Sequence, residues 1–198
     1  VSTLIAYVIG VPIGIVLYIT GEGGIRRNRA INLVVGIVVN VLRSVPFLIL
    51  LVFILPFTRF VVGTTIGSTA TIVPLVVAAA PYVARMVESS LKEIDPGVVE
   101  ASRAMGSSAW QIITKVFLPE AKPSLLVGAT ISLATILGYS AMAGFVGGGG
   151  LGAIAINYGY YRYQSDIMLV TVILLVIIVQ IFQEGGLKLV GKVDKRMR

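Results

Sequence analysis

Apolar residues run through this chain in long blocks, and polar residues gather in a few short stretches between them. A helix needs roughly 20 residues to cross the hydrocarbon core of a bilayer. Five blocks are read as spans on that basis: Val1–Thr20, Leu33–Phe57, Ile66–Val87, Ser124–Val146 and Ile167–Phe182, the last extending toward Leu189. Pro74 and Pro81 lie inside the third block, where a missing amide hydrogen predicts a bent or unwound helix. Gly10 and Gly14 in the first block have the spacing that lets another helix approach closely, although glycine is also common in membrane helices for no special reason. Thr58–Thr65 and Gly147–Asp166 read as loops, the second rich in glycine and tyrosine. Tyr158, Tyr160, Tyr161 and Tyr163 fit an interfacial aromatic belt better than a binding cage.

The longest polar interval, Glu88–Lys122, is not built as a linker. Asp95 followed by Pro96 is an N-cap with proline at the first helical position. The helix that follows should end at Gly106. Ser108 and Gln111 then have capping-box spacing. A second short helix follows, with Trp110, Ile113, Val116 and Phe117 as its apolar side and Pro119 as its end. Residues 95–119 thus read as two short helices joined at a glycine, within one transmembrane domain spanning 1–198 and without internal repeats.

Composition strengthens this picture. The chain is 57% hydrophobic and 13% charged, with a mean hydropathy of +0.97, outside the range of soluble domains. It has neither cysteine nor histidine, which removes disulfides, thiolate and imidazole metal sites, and Ser-His or Cys-His nucleophiles. The net charge of +7 reads as loops facing anionic lipid rather than as a nucleic-acid surface. Of the 16 basic residues, all but Arg43, Arg59 and Arg162 fall in three segments. These are the loop with Arg26, Arg27 and Arg29; the interval from Arg85 to Lys122; and the end of the chain with Lys188, Lys192, Lys195, Arg196 and Arg198. The positive-inside rule puts all three in the cytoplasm, which leaves the N-terminus outside after five spans. The apolar run begins at Val1, so residues missing from the start are expected.

Two phosphate-loop patterns are rejected. Gly147, Gly149 and Gly152 satisfy GxGxxG but follow a membrane helix instead of a strand. Gly186, Gly191 and Lys192 satisfy GxxxxGK, but Val193 stands where a hydroxyl should reach magnesium. The chain is therefore not expected to be an enzyme, and no cofactor is assigned to it. Arg43 is the one charge well inside a span, costly there unless it faces water or a partner. It is placed on the translocation pathway, with snorkelling to the headgroups as the other reading. Glu88 is its candidate partner. In Gly138–Gly144, Met142 and Ser140 are candidate pathway or gate residues, with plain helix packing as the alternative.

Glu100-Ala101, Gly106 and Val116-x-Leu118-Pro119, with nine residues between Gly106 and Val116, resemble the EAA motif of importer-type ABC transporter permeases. Ser102 replaces the usual second alanine, and Val116 an isoleucine. The resemblance implies an all-α membrane protein of the type I importer permease fold, with cytoplasmic coupling helices between spans three and four. It also implies that Glu100, Ala101, Ser102, Gly106, Leu118 and Pro119 dock on a separate ATP-hydrolysing subunit, which carries ATP and magnesium. Leu42–Arg59, Ile72–Glu88 and Gly138–Gly152 look like the methionine-importer permease group in particular. For such a permease the expected partners are a second copy of the chain, two ATPase subunits, and an extracytoplasmic lipoprotein delivering L-methionine and, in some members, D-methionine. Transport would proceed by alternating access. The alternatives are a permease for another amino acid or an osmolyte, or an ATP-independent carrier, which would need mid-membrane ionisable residues or inverted repeats.

Overall fold

A computed structural model describes residues 1–193, with side-chain surroundings through residue 191. Lys195, Arg196 and Arg198, part of the basic end invoked for orientation, lie outside the described residues, and the surroundings of Lys192 are likewise not described. The described residues are helical, with no β-strand among them. Four helical stretches are long and apolar enough to cross a bilayer: Ser2–Thr20, Ser68–Lys92, Lys122–Val146 and Ser165–Gly191. They correspond to α1 (Ser2–Thr20), α5 (Ser68–Lys92), α9 (Lys122–Met142, continued by a 3₁₀ turn Ala143–Val146) and α11 (Ser165–Val193).

The second predicted span is not one helix. α2 (Arg29–Ser44) and α3 (Phe47–Phe53) meet at 103°. If that broken pair counts as one span, the total is five. The break has a local cause: a residue before proline is pushed out of the helical region. Val45, before Pro46, accordingly adopts φ −82°, ψ 123°. The chain then turns again at Ile54 into α4 (Leu55–Val62), so most of the predicted Thr58–Thr65 loop is helical. The other predicted loop also folds, into α10 (Gly150–Ile154) and a π-helical turn, Ala155–Tyr160.

α5 is the centre of the molecule. Of its most apolar stretch 61% is buried, against 6% for that of α11. It runs as one helix through Pro74 and Pro81, so of the bend or unwinding expected there, the unwinding does not occur. Gly10 and Gly14 of α1 lie against Val83 and Val87 of α5. The GxxxG face of α1 is thus used within the chain and is not open to a second copy.

At one end of α5 the core closes around Val83, Val87, Leu91, Ile94, Val99, Ile112, Phe117 and Ala121. This cluster ties α1 and α5 to the polar interval 95–119. Phe117 is fully buried, with Tyr18 of α1 edge-on to its ring at 5.0 Å. The start of α2 and the loop after α1 are pinned to the same corner: Asn32 donates to the Leu17 carbonyl at 2.7 Å, and Arg103 reaches the Gly24 carbonyl at 3.5 Å.

Candidate functional site

The polar interval folds as its caps dictate. The Asp95 carboxylate accepts from the Gly97 amide at 2.7 Å, opening α6 (Pro96–Ala104) with Pro96 in its first turn. At the far end, the Gly106 amide donates to the Arg103 carbonyl and the Ser107 amide to the Ser102 carbonyl, at 2.9 and 3.1 Å. That pair of bonds is a Schellman closure, which needs a left-handed residue, and Gly106 supplies it at φ +79°. Ser108 then starts α7 (Ala109–Ile112) with a complete capping box: its Oγ accepts from the Gln111 amide, and Gln111 Oε1 accepts from the Ser108 amide.

Beyond Ile112 the helix widens into a π turn over Ile113–Phe117, and the Leu118 amide donates five residues back to the Ile113 carbonyl. Pro119 does not end a helix. It sits in the first turn of α8 (Leu118–Glu120), and the chain continues through Ala121 into α9. The π turn also corrects the predicted apolar side. Ile112 and Phe117, five residues apart, are buried, whereas Trp110 is 72% exposed. The extra residue of the wide turn carries Phe117 onto the face that Ile112 already occupies.

Of the docking residues expected from the sequence, Glu100, Ala101, Gly106 and Pro119 are exposed and Leu118 is half-buried. Ser102 is buried, its hydroxyl donating to the Val98 carbonyl at 2.8 Å. The sequence reading missed Met105 and Trp110, which stand exposed on either side of the Gly106 turn. Only the count of residues through the π turn would have turned Trp110 outward, and that turn has no sequence signature.

The pathway candidates separate into two places. Arg43, in the last turn of α2, is exposed with its guanidinium 5.9 Å from the centroid of the Tyr82 ring. It shares a cavity with Tyr82, Arg85, Glu88, Ser89 and Lys92 of α5, which neither Ser140 nor Met142 lines. Glu88 is not its partner. Both Glu88 oxygens are taken along α5 itself, by Arg85 at 2.6 Å and Lys92 at 2.7 Å, and the carboxylate is buried. Arg85 also donates to the Gly36 carbonyl and to Asn40 of α2, which fastens α2 to α5. Met142 ends α9 with 42% of its surface exposed. Ser140 turns its hydroxyl onto the Leu137 carbonyl at 2.7 Å. One turn below Met142, Tyr139 stacks on Phe47 of α3 at 4.7 Å.

Each rejected phosphate pattern has a glycine packed against a neighbouring segment. Gly186 and Gly191 lie inside the continuous helix α11, and Gly186 presses on Thr130 of α9. Gly152 presses on the backbone of Ala141. The tyrosines after α10 are exposed, and Arg162 stacks on Tyr158 at 4.6 Å.

Residues 10–185 match the family model described as binding-protein-dependent transport system inner membrane component. The chain belongs to that family. It is 50% identical over 196 residues, 99% of this chain and 87% of the relative, to a protein of Vibrio cholerae named as a probable D-methionine transport system permease protein, MetI. It is 43% identical over 180 residues, 91% and 81% of the two chains, to the methionine import system permease protein MetP of Bacillus subtilis. Among solved structures it matches an inward-facing conformation of the MetNI methionine ABC transporter with a TM-score of 0.96 and 51% identity, covering 98% of this chain and 90% of that one. An amino acid ABC transporter matches at 24% identity and a TM-score of 0.70, a likeness of fold alone. The chain is thus a multi-pass membrane component of a transport system, with the type I importer permease fold.

Proposed function

We propose that this chain is the permease subunit of an ATP-driven importer that carries methionine into the cytoplasm. The observation that supports it most is the near full-length likeness to methionine permeases, at 50% identity in sequence and a TM-score of 0.96 in structure. In this reading two copies of the chain form the pathway. Two ATP-binding subunits supply the energy, holding ATP and magnesium themselves, and an extracytoplasmic lipoprotein delivers L- or D-methionine.

Residues 95–119 are the cytoplasmic coupling helices of a single transmembrane domain. Glu100, Ala101, Gly106 and Pro119 present the docking surface, Ser102 and Leu118 support it, and the exposed Met105 and Trp110 extend it. The geometry suits force transfer, because Val99, Ile112 and Phe117 plug this segment into the core around α5. A push on the segment therefore moves α1 and α5 as a body. Closing of the ATPases would shift the permease from an inward-open to an outward-open state, provided that substrate and partners bind the two states differently.

The test is uptake of labelled L-methionine by cells lacking their own methionine importer and supplied with this chain and its partner subunits. Displacement by unlabelled L- and D-methionine, but not by other amino acids or osmolytes, is the expected result. Equal displacement by unrelated amino acids would overturn the substrate assignment.

A further inference from the structure

The cavity beneath Arg43 has the charge of a binding site, not of a structural ion pair. It measures about 470 Å³, within the range of small-molecule sites, roughly 300–1,000 Å³. Three cations line it, Arg43, Arg85 and Lys92, against one carboxylate, Glu88. Glu88 is buried, and each of its oxygens already holds one cation. Arg85 is further engaged by Gly36 and Asn40. Arg43 has no carboxylate among the described residues within ion-pairing distance, and its one described contact is the face of Tyr82. It lies in an apolar stretch beside the 103° break, where an unpaired charge is costly.

We propose that this cavity binds the α-carboxylate of the transported amino acid on its way to the cytoplasm, with Arg43 as the anion-binding group. The proposal rests on the reading of the chain as an amino-acid permease. A guanidinium is the side chain best shaped to take a carboxylate by two parallel hydrogen bonds. Tyr82 supplies an aromatic face beside the guanidinium, 5.9 Å from the ring centroid, without neutralising the charge. Met86, on the same wall, offers a soft apolar surface for an apolar side chain. Glu88 and Lys92 keep Arg85 and the α2–α5 junction in place, so they are positioning residues. Among the described residues lining the site there is no free carboxylate, so the ammonium end of the substrate is left to water.

The test uses the complete transporter, permease with its ATPase and binding protein, in proteoliposomes. Methionine uptake and ATP hydrolysis are measured for wild type, Arg43→Gln and Arg43→Lys, in vesicles with and without phosphatidylglycerol. Loss of a charge-assisted pair should lower uptake in Arg43→Gln about ten- to a hundredfold. ATP hydrolysis stimulated by the loaded binding protein should stay near wild type, and Arg43→Lys should fall in between. Uptake and hydrolysis falling together, with a lowered thermal midpoint, would make Arg43 structural and overturn the proposal. Wild-type uptake that needs phosphatidylglycerol, with Arg43→Gln insensitive to it, would assign the arginine to a lipid headgroup and overturn it as well. If wild type imports methionine and Arg43→Gln does so equally, the carboxylate site falls and the substrate reading stands. If wild type does not import methionine, the substrate reading fails and takes this site with it.

Discussion

Gly14 of α1 and Val87 of α5 meet with no room for another atom: a β-carbon built on Gly14 would lie 2.7 Å from the Val87 Cβ and 2.5 Å from the Ala84 carbonyl oxygen. Gly10 meets Val83 and the Ala80 carbonyl in the same way one turn earlier. In a bilayer, where apolar burial does not drive helices together, such close backbone approach is the main source of helix pairing. Gly14→Val should cost about 1–3 kcal/mol or more from overpacking, and lower both membrane yield and thermal midpoint. Because one obstacle is backbone oxygen, adding Val87→Ala should restore only part of the loss. An unchanged midpoint in Gly14→Val would show that α1 is not fixed against α5.

How much of this was legible depended on the range of the interaction. The Asp95 cap, the Ser108–Gln111 capping box and the glycine closure at Gly106 were readable because each is decided within a few residues. The pre-proline rule at Val45-Pro46 was readable too, but the length of the apolar run from Leu33 to Phe57 argued for one straight span and hid the break. Arg85 and Lys92 stand three residues before and four residues after Glu88, so their pairing was visible in helical spacing. The partner of Gly10 and Gly14 was not, since a small-residue face says that a helix approaches without saying which. The π turn was the least visible, and it is what turned Trp110 outward.

Gly106 should separate docking from folding. Nothing lies within 4 Å of a β-carbon placed there, yet its φ of +79° is unfavourable for other residues. The cost of Gly106→Val is therefore backbone strain, about 1–2 kcal/mol, spent where α6 turns into α7. Permease expression should hold while co-purification with the ATPase and uptake both fall. Gly106→Asn, which tolerates the left-handed region, should lose less. Normal uptake by the valine variant at normal expression would remove Gly106 from the docking surface.

Trp110 offers a complementary test. It is 72% exposed, so truncation to alanine should leave the thermal midpoint of the isolated permease close to wild type. As an aromatic anchor in a protein interface it would account for about 2 kcal/mol or more of ATPase association, roughly thirtyfold in affinity. Titration of the purified ATPase onto permease in nanodiscs measures this directly. Affinity within twofold of wild type would leave Trp110 a lipid- or solvent-facing side chain.

Met142 is the remaining question of the pathway, and its surroundings sharpen it. It ends α9 half-exposed, while one turn below it Tyr139 is locked against Phe47. The fixed stack carries the packing of this corner, and Met142 stands exposed beside it. In a pair of permeases related by a two-fold axis, two such flexible apolar side chains could close a narrow passage to water and part when the helices separate. On that reading Met142→Ala leaves the thermal midpoint nearly unchanged and raises ATP hydrolysis per methionine imported, because the closed constriction leaks. Packing gives the opposite pair of results, since deleting a side chain from a filled site costs contacts wherever the site lies. Thermal unfolding of the purified complex and the hydrolysis-to-uptake ratio in proteoliposomes therefore decide between them. A lowered midpoint with an unaltered ratio would assign Met142 to the corner with Tyr139 and Phe47 and take it off the pathway.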